Sequence, residues 1–234
     1  MKGERVLLWL AAVSLSLLFL ALARWQYTRG EQKSAWIAAW SAALAAEPEA
    51  LADALASEVS LPRPIQGEAS PLEPQVWYLL DNQRLDRAIG VRAYAVLQSA
   101  NTALLADFGW LPLDAERRWP ELPKLPDRID ARGMLMPVPG QGLRMAANDY
   151  RNAQDGALLI SYLDPEEIGR AIGQPLLPAV LRIAPEAAFG FARQVVALPN
   201  TAPPSTHYGY AVQWLGLAIA VLATATILQR RSRR

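Results

Sequence analysis

Two apolar runs, one near each end of the chain, restrict its folds more than any other feature. Val6–Ala23 (VLLWLAAVSLSLLFLALA) is 18 residues without a charge, and Tyr210–Leu228 (YAVQWLGLAIAVLATATIL) is 19, with Gln213 its only strongly polar member. At about 1.5 Å per residue, the first run is a helix roughly 27 Å long, close to the thickness of a bilayer core. A buried core helix or, for the first run, a cleaved signal peptide shares part of this pattern. The first run is long for a signal peptide, however, and no small-x-small cleavage site follows it. Arg24-Trp25 follows instead, and an aromatic beside a cation is how a span meets the headgroups. The two runs read as transmembrane helices.

Charge sets the orientation. The flanks outside the runs hold six Lys and Arg against one acid, a net +5, whereas residues 24–209 hold 17 against 21, a net −4. Positive flanks stay cytoplasmic, so both termini face inward and the middle segment is exported. That compartment is the periplasm in a bacterium and the intermembrane space in a mitochondrion. The absence of cysteine permits an oxidising compartment without demanding one.

The expected organisation is a cytoplasmic N-terminus over 1–5, a first span over 6–23, one exported domain over 24–209, a second span over 210–228 and a basic cytoplasmic tail over 229–234. Within the domain, Trp25, Arg29, Lys33, Trp36, Ile37, Trp40 and Leu44 recur at three- and four-residue spacing, which predicts a helix continuing from the first span to about Ser57. From Leu61 the pattern changes to short apolar runs cut by proline and glycine. Val76–Leu80, Val91–Leu97, Ala103–Ala106, Ile129–Met136, Leu158–Tyr162, Ala179–Ile183 and Gln194–Leu198 read as strands, so 61–198 is mainly β. Asp164-Pro165-Glu166-Glu167 is a helix start, with an N-cap carboxylate, proline at the first position and acids in the first turn. That helix should end near Gly173. Asn200–Thr206 (NTAPPST) reads as a polar connector that leads His207 into the second span. The fold class is an α+β membrane protein, two transmembrane helices flanking one largely β exported domain.

The chemistry available is narrow. His207 is the only histidine and cysteine is absent, so metal ligation through nitrogen or sulfur falls to His207 or one of four methionines. A serine triad needs a histidine beside its nucleophile, and no Gly-x-Ser-x-Gly elbow occurs. Nucleotide-binding glycine motifs are also missing. Acid pairs such as Glu166-Glu167 and Asp114/Glu116 have simpler readings as a helix first turn and a solvated loop. A net acidic domain disfavours nucleic acid, whose phosphates need a basic face. The chain reads as a non-enzyme.

Several blocks resemble the surfeit locus protein 1 family of cytochrome c oxidase assembly factors. Leu22-Ala23-Arg24-Trp25-Gln26, with Arg29 and Lys33, is similar to the family signature after the first span, and Leu104–Pro112 (LLADFGWLP) to its Asn-Arg-Gly-Trp block. Leu79–Asn82 (LLDN) and Pro178–Ile183 (PAVLRI) fall where the family has similar segments. His207–Leu217 (HYGYAVQWLGL) is similar to its closing His-x-x-Tyr-Ala-x-x-Trp block. Two departures stand out: Ala23 replaces the signature glycine, and Asp107-Phe108 replaces the Asn-Arg pair.

The resemblance implies a bacterial factor of the inner (plasma) membrane that binds haem a and aids its insertion into the catalytic subunit of a haem–copper cytochrome c oxidase. The catalytic subunit is the implied partner, with a haem a synthase as a second. His207 maps onto the family's proposed haem iron ligand. Tyr208, Tyr210 and Trp214 are then candidates to pack on the macrocycle, and Arg24 or Arg29 to meet its propionates if the two span ends are adjacent. A polar interfacial residue without a ligand, inside an ordinary aromatic belt, accounts for the same residues. A structural assembly protein that steadies an oxidase intermediate without touching haem is the alternative function.

Overall fold

The computed structural model describes residues 2–56, 60–114, 116–140, 148, 156–193 and 202–231. In chain order the first elements are α1 (Lys2–Ala45), β1 (Glu49–Ala50), α2 (Leu51–Ala56), β2 (Arg63–Gln66), β3 (Glu68–Pro71), β4 (Trp77–Leu85), β5 (Ala88–Ser99) and β6 (Thr102–Pro112). They are followed by β7 (Ile129–Asp130), β8 (Gly133–Pro137), β9 (Ala157–Ile160), α3 (Pro165–Ile172), β10 (Leu176–Ile183) and α4 (Pro204–Arg231). The chain forms two compact units, Met1–Trp40 with Leu198–Arg234, and Ser41–Ala197.

The first unit is the helix pair α1 and α4. Each helix contains a window long and apolar enough to cross a membrane, and only 11 % of either window is buried. The core helix of a soluble protein would be mostly buried, so these faces suit lipid, as in a membrane protein. Two boundaries differ from the sequence reading. The helix expected to reach Ser57 stops at Ala45, because Pro48 disfavours helical geometry at Glu47, and a short strand precedes α2. The connector expected over Asn200–Thr206 is already helical from Pro204, whose fixed φ suits a first helical position. His207 therefore lies in the first turn of α4, ahead of the apolar run.

The second unit is a curled sheet whose ladder closes on itself. Arg63 pairs with Leu135 and Ile65 with Gly133, and beyond Gly67 the same antiparallel register continues as Glu68 with Asp130 and Ala69 with Ile129. Ala131 N–H donates to Gly67 C=O at 2.7 Å across the break, so β2–β3 and β7–β8 act as two long, bent strands. From β3 the ladder passes to β5, β6 and β10, then to β8 and back to β2. Five strands thus make a closed ring, which leaves few edges to protect. β4 and β9 extend it outside β5.

Alternation sorts the side chains into two cores. Val91, Ala93, Ala95 and Leu97 of β5, Leu104, Ala106 and Phe108 of β6, and Ala179, Leu181 and Ile183 of β10 share one cluster with Ile65, Ala69, Ile129 and Leu135. Its many alanines suit the narrow interior of a five-stranded ring. Tyr78, Tyr94, Val96, Leu105 and Val180 face the other way, with Leu158 and Ile160 of the neighbouring β9, and share a cluster with Ile168 of α3. α3 starts and stops as its sequence predicts. Asp164 accepts hydrogen bonds from Glu166 N–H and Glu167 N–H, and Gly173 takes the left-handed conformation at the C-cap. The strands β2 and β3 carry two prolines, Pro64 and Pro71, and were not expected; the strand expected over Gln194–Leu198 lies outside the described residues.

Candidate functional site

In the helix pair, the contacting residues recur at steps of three, four and seven. On α1 they are Trp9, Ala12, Ser16, Phe19, Gln26 and Gly30; on α4 they are His207, Trp214, Ala218, Ala225 and Gln229. This is the spacing of a left-handed helix seam, with small residues where the backbones approach. Polar groups in the seam pair with one another. Trp9 Nε1–H donates to Gln229 Oε1 at 3.1 Å, and the Ser16 hydroxyl donates to the Ala218 carbonyl at 3.2 Å. In hydrocarbon such pairs replace the water that neither group can reach. Next along the seam toward His207, Phe19 and Trp214 pack together with ring centroids 5.4 Å apart.

The head of α4 is fixed more firmly. The Tyr208 ring lies on Gly30, where an added Cβ would come within 2.5 Å of Tyr208 Cε1. Any larger residue would displace the ring. The Tyr208 hydroxyl donates to the Glu31 carboxylate and has the Ser34 hydroxyl 3.3 Å away, while Tyr27 stacks on it at 5.6 Å. One residue earlier, half-buried His207 places Nδ1 2.9 Å from Gln26 Oε1. α4 is thereby held in rotation as well as in position.

The site residues read from the sequence occupy different places around this contact. Trp214 is two turns deeper than His207 on the same face of α4. Tyr210 is 48 % exposed, so its ring is open to lipid or ligand beside His207. Arg29 is exposed and donates to Gln32 Oε1 at 3.3 Å along its own helix. Arg24 is also exposed, but two residues before Gln26 it points to the opposite side of α1. Gln26 itself, Gly30 and Tyr208 were not singled out as a linked set. Gln26 and Tyr208 fall inside the two blocks that resemble the family, but nothing in the sequence joins either to its partner on the other helix.

The β unit has its own charged group. Asp107, 2 % exposed, accepts from Arg92 Nη1–H at 2.7 Å and from Gly109 N–H at 3.0 Å, with Arg182 Nε at 3.4 Å. A bulge places it there. β6 gains one residue at Phe108, Gly109 takes φ +113°, and Leu111 rejoins the core face that Leu104, Ala106 and Phe108 occupy. A Cβ on Gly109 would lie 2.8 Å from the Ala192 carbonyl. Burial alone would depress the Arg92 guanidinium, but the Asp107 carboxylate beside it holds its pKa above the ordinary value. Burial and the same carboxylate push the Tyr94 phenol up. Where the family block has Asn-Arg, this chain therefore supplies the acid and draws its arginines from β5 and β10.

A cavity of about 660 Å³ lies between α3 and β10. Of its acids, Asp164 caps α3 and Glu166 stands in that helix's first turn, as the sequence suggested. Among the described residues no group of three or more His, Cys, Asp or Glu is placed to hold a metal ion. No curated protein matches the chain. The family model described as the SURF1 family matches residues 13–219, from within the first apolar run to within the second, and covers both units. By that match the chain belongs to the SURF1 family, which is associated with cytochrome c oxidase assembly.

Proposed function

We propose that this chain carries haem a to the catalytic subunit of a haem–copper oxidase, with His207 as the iron ligand. The family's association with oxidase assembly supports an oxidase subunit as the partner and an assembly factor, rather than an enzyme, as the type of protein. The observation that carries the haem reading is the lone imidazole at the head of α4. A bare metal ion bound by side chains needs three or four of them. Haem brings four nitrogens of its own and asks one or two ligands of the protein. One histidine without cysteine suits that demand, and its place ahead of an apolar run suits a hydrophobic macrocycle with polar propionates.

Tyr210 beside His207 then offers a ring face to the macrocycle, and Arg29 is the better placed of the two arginines for a propionate, since Arg24 points away from Gln26. The positive flanks orient both termini toward the cytoplasm of a bacterial cell and the β domain toward the periplasm, so haem is handled at the outer leaflet of the inner membrane. A haem a synthase is the natural donor.

The test is the haem content of the chain co-expressed with a haem a synthase, purified in detergent and read by absorption. The wild type should retain haem a and His207→Ala should lose it. Equal haem in both overturns ligation by His207. Absence of haem from both, with a stable complex of chain and catalytic subunit formed without haem a, favours the structural alternative.

A further inference from the structure

We infer that Gln26 is a positioning residue that sets the tautomer of His207 and so decides which ring nitrogen is offered to a metal. The inference rests on the haem reading above and deepens it. An amide oxygen only accepts hydrogen bonds. At 2.9 Å from Gln26 Oε1, the His207 Nδ1 must therefore carry the proton. In the neutral ring Nε2 then keeps its lone pair, and among the described residues it has no hydrogen-bond partner. A neutral imidazole binds iron through such a lone pair, and the bond made by the other nitrogen fixes which one it is.

Three features make the arrangement a preformed one. Gln26 and His207 come from different helices, so the bond exists only when the seam is assembled. The neighbouring Tyr208, seated on Gly30 and bonded to Glu31, prevents α4 from rotating His207 away. The Gln26 amide is half-buried, which limits the water that would compete for Nδ1. Reversing the amide would set an N–H donor against Nδ1 and favour the proton on Nε2, closing the ligand position. The side chain at position 26 thus selects between an open and a blocked imidazole.

A single histidine allows a direct test. Label the full chain with ¹⁵N-histidine in lipid nanodiscs and read the two ring nitrogens by NMR, without haem. The wild type should show Nδ1 protonated and Nε2 bare. Gln26→Leu, which removes the acceptor at similar volume, should lose that bias, and Gln26→Glu should restore it. Titration with haem a should then show about a 10- to 100-fold weaker affinity for Gln26→Leu, the usual loss when a ligand's orienting partner is removed, and near-wild-type binding for Gln26→Glu. A wild type protonated at Nε2, or equal tautomers and equal affinities in wild type and Gln26→Leu, overturns the inference. A correct tautomer in a wild type that binds no haem a upholds the Gln26–His207 assignment and removes the haem reading alone. Loss of the seam in Gln26→Leu would show as a change in the Tyr208 resonances of a second, tyrosine-labelled sample, and Gln26→Glu then decides.

Discussion

Substituting Asp107 is the sharpest test of how the β domain is held together. Its carboxylate is 2 % exposed and receives a guanidinium bond at 2.7 Å, a second guanidinium nitrogen at 3.4 Å and a backbone N–H at 3.0 Å. Removing one member of a buried ion pair costs about 3–5 kcal/mol, because the remaining charge is stranded. Here the stranded arginines keep 23 % and 29 % of their side-chain surface exposed, and water recovers part of that loss. Asp107→Ala should therefore cost about 3 kcal/mol, at the low end of the range. In a domain of this size that lowers Tm by about 6–12 °C. Asp107→Asn keeps an acceptor for Gly109 N–H but not the charge, and should cost roughly 2 kcal/mol. Thermal unfolding of the purified chain in detergent, followed by protease sensitivity of the domain, gives these shifts. Adding Arg92→Leu to Asp107→Ala should restore part of the loss, since one stranded cation disappears. A change within about 0.5 kcal/mol for Asp107→Ala, as at an ordinary surface position, would refute the account.

Two further outcomes follow from the packing. Burial pushes the Tyr78 phenol from 10.0 up to about 12, so the folded state favours the neutral form. Because the folded pKa is the higher one, this stabilisation is complete below pH 10.0 and is lost as pH rises toward about 12. Tyr94 is shifted in the same direction, so Tyr78→Phe with Tyr94→Phe should flatten the fall in denaturation midpoint across that window; an unchanged slope would contradict it. In the helix pair, Gly30→Val should force Tyr208 off α1 at an overpacking cost of about 1–3 kcal/mol. The chain has no native cysteine, so oxidative cross-linking of Ser16→Cys with Ala218→Cys reads the seam directly. Gly30→Val should slow that cross-link, and an unaltered rate would show that the Tyr208 contact does not hold the helices.

What could be read from the sequence was local chemistry. The two apolar helices follow from composition over a span of consecutive residues, and α3 follows from Asp164, Pro165 and Gly173, all within one short segment. The ends of those elements were less legible, because Pro48 stops α1 only once the chain must turn into β1, and Pro204 starts α4 inside what reads as a polar connector. β2 and β3 escaped for a related reason. Their prolines argue against a strand, yet Pro64 and Pro71 are tolerated where the strand bends at Gly67 and its pairing passes from β8 to β7 on one edge and from β1 to β5 on the other.

The closed ring and the two polar contacts that matter most are products of distant pairing. Nothing near Asp107 in sequence announces that Arg182 will arrive beside it, and nothing near His207 announces Gln26, 181 residues away. Composition does explain why such contacts are decisive. A chain with one histidine and no cysteine has a single imidazole to place, and its ligand nitrogen depends on what the other nitrogen meets. If that partner were water, either tautomer would be open to it. Because the partner is an amide oxygen on the facing helix, assembly of the two helices and exposure of a ligand nitrogen become one event. Separating α4 from α1 would then release the imidazole from its fixed tautomer and, if His207 holds haem iron as proposed, would link any docking that parts the helices to a weaker hold on that iron.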